Sequence, residues 1–308
     1  MILFVAFFST YLLYPFFIDF LRRNSIGQFI RKEGPDLHNY KEGTPTMGGL
    51  LFIVSGSILG IFLKPVKETF FLVSAVILFA IIGFLDDWLS VRKKNAEGLK
   101  VRQKLFLQIA FATLLMIFSQ IISPHTHTLL PFSNYRLELG FFYYIFTVFV
   151  IVAISNAVNL TDGLDGLAGS VFLSTALPLY VFYRFFGNDF PILLTFSLAV
   201  CAFLFYNFKP AKVFMGDTGA IALGGLLGGI VSLTGTEFFL LFFALIFFVE
   251  TLSVLIQVSW YKLTKKRVFR MSPLHHHYEL KGYTEESIVF RFSVANLIAS
   301  LLLLGVYR

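Results

Sequence analysis

Ten stretches of about twenty mostly apolar residues, with most of the charge confined to the gaps between them, leave this chain few ways to fold. A helix needs roughly 17 to 25 apolar residues to cross the hydrocarbon layer of a membrane. Backbone polar groups find no water there, so a helix that bonds its own backbone is the default crossing element. The stretches cover 2–21, 47–63, 69–88, 105–123, 140–159, 168–186, 190–207, 218–235, 238–261 and 286–306. They predict an all-α, polytopic integral membrane protein, a single transmembrane domain over 1–308 with ten transmembrane helices. Composition agrees: 57% of residues are hydrophobic and 14% charged, against about 25% charged in a soluble domain.

Orientation follows from the gaps. Arg22, Arg23, Arg31, Lys32 and Lys41 lie in 22–46, and Arg92, Lys93, Lys94, Lys100, Arg102 and Lys104 in 89–104. Lys209 and Lys212 lie in 208–217, and Lys262, Lys265, Lys266, Arg267, Arg270 and Lys281 in 262–285. The alternate gaps hold only Lys64, Lys67, Arg136 and Arg184. Basic loops stay in the cytoplasm, so an even number of spans places both termini outside. The gap 160–167 belongs to the cytoplasmic set by position yet has two aspartates and no basic residue. The outer gap 124–139 suits a turn or a short hairpin. Residues 1–20 lack a basic leader and a small-residue cleavage site, so they read as a retained first span. The net charge of +7 is scattered through loops rather than gathered on one face, which argues against nucleic acid as a partner. A single cysteine, Cys201 in an apolar run, excludes a disulfide framework and a multi-cysteine metal site.

Acids are few and one-sided. Asp86 and Asp87 close the third apolar stretch, Asp162 and Asp165 follow the fifth, and Asp217 precedes the eighth in Phe214-Met215-Gly216-Asp217-Thr218-Gly219. Carboxylates at membrane depth mark function by default. Adjacent residues on a helix point about 100° apart, so Asp86 and Asp87 do not share one ion. Residues 162 and 165 have the spacing to share a face. Mg²⁺ takes one or two carboxylates plus substrate phosphates, which predicts carboxylates from separate segments converging on a metal–pyrophosphate complex. His275, His276 and His277 are contiguous, a poor arrangement for closing on one zinc ion. Imidazoles donate to phosphate oxygens and titrate near neutrality. The segment from Lys41 to Gly49, Lys-Glu-Gly-Thr-Pro-Thr-Met-Gly-Gly, opens a helix, and helix N-termini attract phosphate. Lys104 opens another. Glu250 sits deep in the ninth stretch and must either pair or lie where that helix is broken and partly wet.

Together these motifs resemble the phospho-N-acetylmuramoyl-pentapeptide transferases, translocases within the polyprenyl-phosphate N-acetylhexosamine-1-phosphate transferase superfamily. The resemblance rests on 43–49, Asp86-Asp87, Asn159 to Gly166, Phe214 to Gly219 and Pro273 to His277, and spans nearly the whole chain. It implies ten spans in the bacterial inner membrane, with the active site facing the cytoplasm. It also implies Mg²⁺, the donor UDP-N-acetylmuramoyl-pentapeptide, the lipid acceptor undecaprenyl phosphate, and it allows a homodimer. By position it assigns the metal to Asp217 and catalysis to Asp86, Asp87, Asp217 and His276. Substrate contacts fall to Lys41, Thr46, Lys104, Asn159, Asp162, Gly163, Asp165, Asn207, Phe214, His275 and His277. It matches Glu250 to an acid at a bend in the ninth helix. Ser90 stands where family members often carry lysine, which puts any nucleotide contact from that position in doubt. Rival readings are a sibling transferase using UDP-N-acetylglucosamine and a transporter, although a transporter usually places its acids nearer the midplane.

Overall fold

The computed structural model describes residues 2–27, 42–95, 97–133 and 135–307. Each apolar stretch becomes helical. The helices are α1 (Ile2–Arg23), α2 (Gly49–Leu63), α3 (Lys67–Lys93), α4 (Val101–Ile122), α5 (Phe142–Thr161), α6 (Leu167–Phe185), α7 (Ile192–Asn207) and α8 (Gly216–Thr234). They continue as α9 (Leu240–Phe243), α10 (Leu245–Thr264), α11 (Leu274–Glu279) and α12 (Glu285–Val306). Among the described residues, seven are long and apolar enough to cross a membrane: α1, α3, α4, α5, α8, α10 and α12. The helices α2 and α7 are apolar but shorter. The predicted stretch 238–261 is divided at Ala244, between α9 and α10, and α10 runs unbroken through Glu250.

Helix α8 is the hub. It packs chiefly against α3 and α5, and its residues from Thr218 to Leu233 are buried. Small residues let backbones approach closely inside a bilayer. At Gly83 of α3 a Cβ would stand 2.1 Å from the Asp217 carbonyl oxygen, so this crossing requires glycine. The outward faces carry large apolar side chains instead, among them Phe16, Phe62, Phe106, Phe290 and Leu302. That is the pattern of a surface solvated by lipid.

The chain alternates between two ends of the bundle. At one, Gly48 and Gly49 donate to the carbonyls of Phe214 and Met215 at 2.8 and 3.0 Å, so the start of α2 is tied to the start of α8. At the other, Lys64 donates to the Asp189 carbonyl at 2.7 Å and Lys67 to that of Ile122 at 3.2 Å. The gap 124–139 forms an antiparallel hairpin, β1 (His127–Leu129) and β2 (Arg136–Glu138). The hairpin is docked by a buried polar chain. His125 Nδ1 lies 2.7 Å from the Ser123 carbonyl, His125 Nε2 lies 2.7 Å from the Tyr143 hydroxyl, and that hydroxyl lies 2.7 Å from Glu237 Oε1.

Candidate active site

Asp217 stands in the first turn of α8, where unbonded N–H groups favour an anion. Its Oδ1 accepts the Asn159 side-chain amide at 2.8 Å, and its Oδ2 is paired with the Lys104 ammonium. Lys104 also donates to Asn159 Oδ1 at 3.2 Å. Three helix ends, from α4, α5 and α8, therefore meet on one carboxylate.

The two adjacent aspartates have different tasks. Asp87 is buried. Its Oδ1 accepts the Asp217 N–H at 3.1 Å, and its Oδ2 accepts the Thr218 N–H and hydroxyl at 3.0 and 2.6 Å. It acts as the N-terminal cap of α8 supplied by another helix, a role usually taken by a local Asp, Ser or Thr. Asp86 is only half-buried. Its Oδ1 accepts the Leu99 N–H at 3.0 Å, and its carboxyl lies beside that of Asp217. The helix geometry that separates neighbouring side chains by about 100° sends one to the frame and the other to the site.

Thr46 and Met47 close one wall. Gly216 has φ +72°, and a Cβ there would lie 2.5 Å from Asp87 Oδ2 and 2.9 Å from Thr46 Oγ1. This left-handed backbone favours glycine. Phe214 donates its N–H to the Pro45 carbonyl at 2.8 Å, so Thr46 and Phe214 sit on paired segments. Lys41 lies outside the described residues.

Asp162 ends α5, its N–H bonded to the Asn159 carbonyl at 3.2 Å. Asp165 and Asn207 are buried and brace loops. Asp165 Oδ2 accepts the Ala211 N–H at 3.0 Å, while Asn207 links the Gly166 N–H at 2.9 Å to the Val213 carbonyl at 2.9 Å. Glu285, which the sequence reading overlooked, accepts the Asp165 N–H at 3.2 Å and pairs with Lys209 at 3.4 Å. A carboxylate just past a predicted helix boundary looks like ordinary first-turn charge, so nothing in the sequence marked it.

The three histidines diverge. His275 is buried against Gly163, with Nδ1 3.3 Å from Glu250 Oε1. His276 Nδ1 lies 2.7 Å from Glu279 Oε2. His277 Nδ1 accepts the Arg270 N–H at 3.0 Å, and partial burial, then Lys281 and Arg270, hold its pKa below the usual imidazole value. The His275 and His276 rings lie against different carboxylates and the His277 ring against a backbone N–H, so the three do not converge on one ion. Ser90 donates to the Asn95 carbonyl at 2.6 Å, so its hydroxyl is engaged within its own loop.

Two carboxyl groups, Asp217 and Asp86, lie beside one ammonium, Lys104, with Asp87 behind them at the start of α8. Among the described residues no group of three or more His, Cys, Asp or Glu side chains is placed to hold a metal alone. One or two carboxylates completed by phosphate oxygens is the habit of Mg²⁺, and this acid-rich cluster fits that donor set.

Residues 69–236 match the family model for glycosyl transferase family 4, and residues 41–53 match the phospho-N-acetylmuramoyl-pentapeptide-transferase signature 1. A phospho-N-acetylmuramoyl-pentapeptide-transferase of Thermotoga neapolitana is 51% identical over 302 residues, covering 98% of this chain and 97% of its own. The chain belongs to the phospho-N-acetylmuramoyl-pentapeptide-transferase family. Phospho-N-acetylmuramoyl-pentapeptide-transferases of Kosmotoga olearia (46% identical, 98% and 96% covered) and Staphylococcus haemolyticus (45% identical, 97% and 96% covered) show how far the likeness extends. The chain is therefore a multi-pass membrane transferase. Both family matches include parts of the carboxylate site: the model spans Asp86 to Asp217, and the signature covers Thr46.

Proposed function

We propose that this protein transfers phospho-N-acetylmuramoyl-pentapeptide from UDP to undecaprenyl phosphate, giving the undecaprenyl-diphospho-linked product and UMP. The observation that carries this reading is the Lys104–Asp217–Asn159 junction beside Asp86, in a chain half identical to transferases of that name. The setting is the bacterial inner membrane, with ten spans, both termini outside and the carboxylates facing the cytoplasm. The loops richest in Lys and Arg adjoin the carboxylate end, which supports this orientation.

Phosphoryl transfer depends mainly on positioning and charge stabilisation. An acceptor phosphate oxygen attacks the phosphorus that bears the sugar. A P–O bond forms there, the pyrophosphate bridge breaks, and its electron pair leaves on UMP. A bound Mg²⁺ supplies charge neutralisation on the pyrophosphate, and Asp217, with Asp86 beside it, would hold it. Lys104 neutralises charge on the phosphates when they displace its contact with Asp217. Asp86 positions the acceptor and takes any residual proton. The acceptor monoester has a second pKa near 6 and is largely dianionic at neutral pH, so no strong base is required. Asp87 fixes the start of α8. Thr46, Phe214, Asn159, Asp162 and Gly163 border the donor's nucleotide, with Asp165 and Asn207 shaping the loops beneath it.

The test is acceptor-dependent UMP release by purified protein, with UDP-N-acetylglucosamine as a parallel donor. Turnover with the muramoyl donor supports the proposal. Turnover with the glucosamine donor alone would replace it with the sibling activity, and substrate flux without UMP release would replace it with transport. A burst of UMP without acceptor, accompanied by a phospho-enzyme, would overturn the one-step route.

A further inference from the structure

Glu250 is fully buried in α10, where an unpaired carboxylate would cost several kcal/mol. It is not unpaired. Its Oε2 accepts the Leu274 N–H at 2.6 Å and its Oε1 the His275 N–H at 3.1 Å, with the His275 ring 3.3 Å from the same oxygen. These N–H groups are the first two of α11, whose own N-cap is Pro273 and makes no side-chain cap. A six-residue helix has no stability of its own in isolation. Its start is therefore fixed by a carboxylate that reaches across from another helix.

The fixed object matters because of what α11 carries. His276 is held on α11 by Glu279, three residues on, through Nδ1 at 2.7 Å. That contact puts the proton of a neutral ring on Nδ1 and the lone pair on Nε2. The ring is thus stiff relative to α11, and the rotation of α11 about its axis decides where Nε2 points. Two N–H bonds to one carboxylate set that rotation. His275, packed on Gly163, adds a stop against the turn after α5.

We propose that Glu250 is a positioning residue for phosphoryl transfer, capping α11 from α10 and thereby aiming the His276 imidazole into the reaction site. The inference rests on the transferase reading above together with the resemblance's assignment of His276 to catalysis. It does not depend on which donor sugar is used.

The experiment is a double-mutant cycle on the full-length protein in detergent, comparing Glu250→Ala, Glu250→Gln, His276→Ala and Glu250→Ala/His276→Ala. The readouts are kcat, KM for the UDP-linked donor, and UMP binding per folded molecule. Glu250→Ala is expected to lower kcat by about 10²-fold, the scale of a misplaced catalytic group, with KM within about threefold. Glu250→Gln keeps one acceptor oxygen and is expected to fall between Ala and wild type. It also serves as the test variant if Ala does not fold. The double variant should be no slower than His276→Ala alone, because both act through one ring. Effects that multiply, or an unchanged kcat in Glu250→Ala and Glu250→Gln while His276→Ala is inactive, would overturn the positioning role. Full turnover in His276→Ala would instead remove the underlying assignment of His276, and the proposal with it.

Discussion

At the scale of single residues, Asp86 and Asp87 show how one motif serves two purposes. Asp87→Asn leaves three donors at the start of α8 facing an amide, and charged hydrogen bonds of this kind contribute about 2 kcal/mol each. We expect it to lower the thermal midpoint and abolish UMP release together. Asp86→Asn loses one N–H bond and sits half-exposed, so activity should fall with the midpoint nearly unchanged. Equal midpoints in the two variants would refute the division of labour. Asp217→Asn should also abolish UMP release in folded protein and remove the Mg²⁺ dependence of nucleotide binding, measured by calorimetry. The sequence singled out both aspartates but not which did what, because the difference lies in backbone N–H groups 130 and 131 positions away. Asp165 and Asn207 illustrate the same limit. Their residue types fit a nucleotide contact and a loop brace equally well, and only the folded chain brings Ala211, Gly166 and Val213 to them.

At the scale of elements, helices were legible because membrane spans are written in composition, which needs no partner to be read. The break at Ala244 was not, since apolar residues flank it on both sides. The Gly83 crossing gives an element-level prediction. Gly83→Ala would push α3 off α8 at Asp217, with an overpacking cost of about 1–3 kcal/mol and loss of transfer, checked by thermal unfolding and UMP release. The hairpin dock gives another. Three contacts from Ser123 to Glu237 need three protons, whereas a neutral imidazole, a phenol and a carboxylate supply two. The chain thus holds one extra proton, with His127 and Glu138 as nearby titratable neighbours on the hairpin. Burial raises the Glu237 pKa and lowers that of His125, which places the extra proton at the glutamate end. A raised acid stabilises fully below its ordinary value of 4.5 and loses that stability as pH rises through its folded value. A depressed imidazole stabilises above 6.5 and loses that stability as pH falls through its folded value. Accordingly, the midpoint of His125→Gln should drop as pH rises from 4.5, and that of Glu237→Gln should drop as pH falls below 6.5. Slopes of the same sign in both variants would contradict the proton count.

At the scale of the whole molecule, the described basic residues Lys104 and Lys209 share one end of the bundle with the carboxylate site, while the hairpin marks the other. Cys201 is the only cysteine, so a Cys201→Ala background is simple to build. In intact cells an impermeant maleimide should label Ser133→Cys on the hairpin and miss Glu97→Cys beside the site, both positions being exposed. Labelling of Glu97→Cys from outside would invert the proposed orientation.

The enclosure of α8 also bears on how the protein is made. A helix with so little lipid-facing surface gains little from entering the bilayer alone and needs its walls waiting for it. Chain order supplies them: α2, α3 and α5 all leave the ribosome before α8 does. Asp217 therefore follows Asp87, Lys104 and Asn159 out of the ribosome, and the helices that carry its partners precede its own.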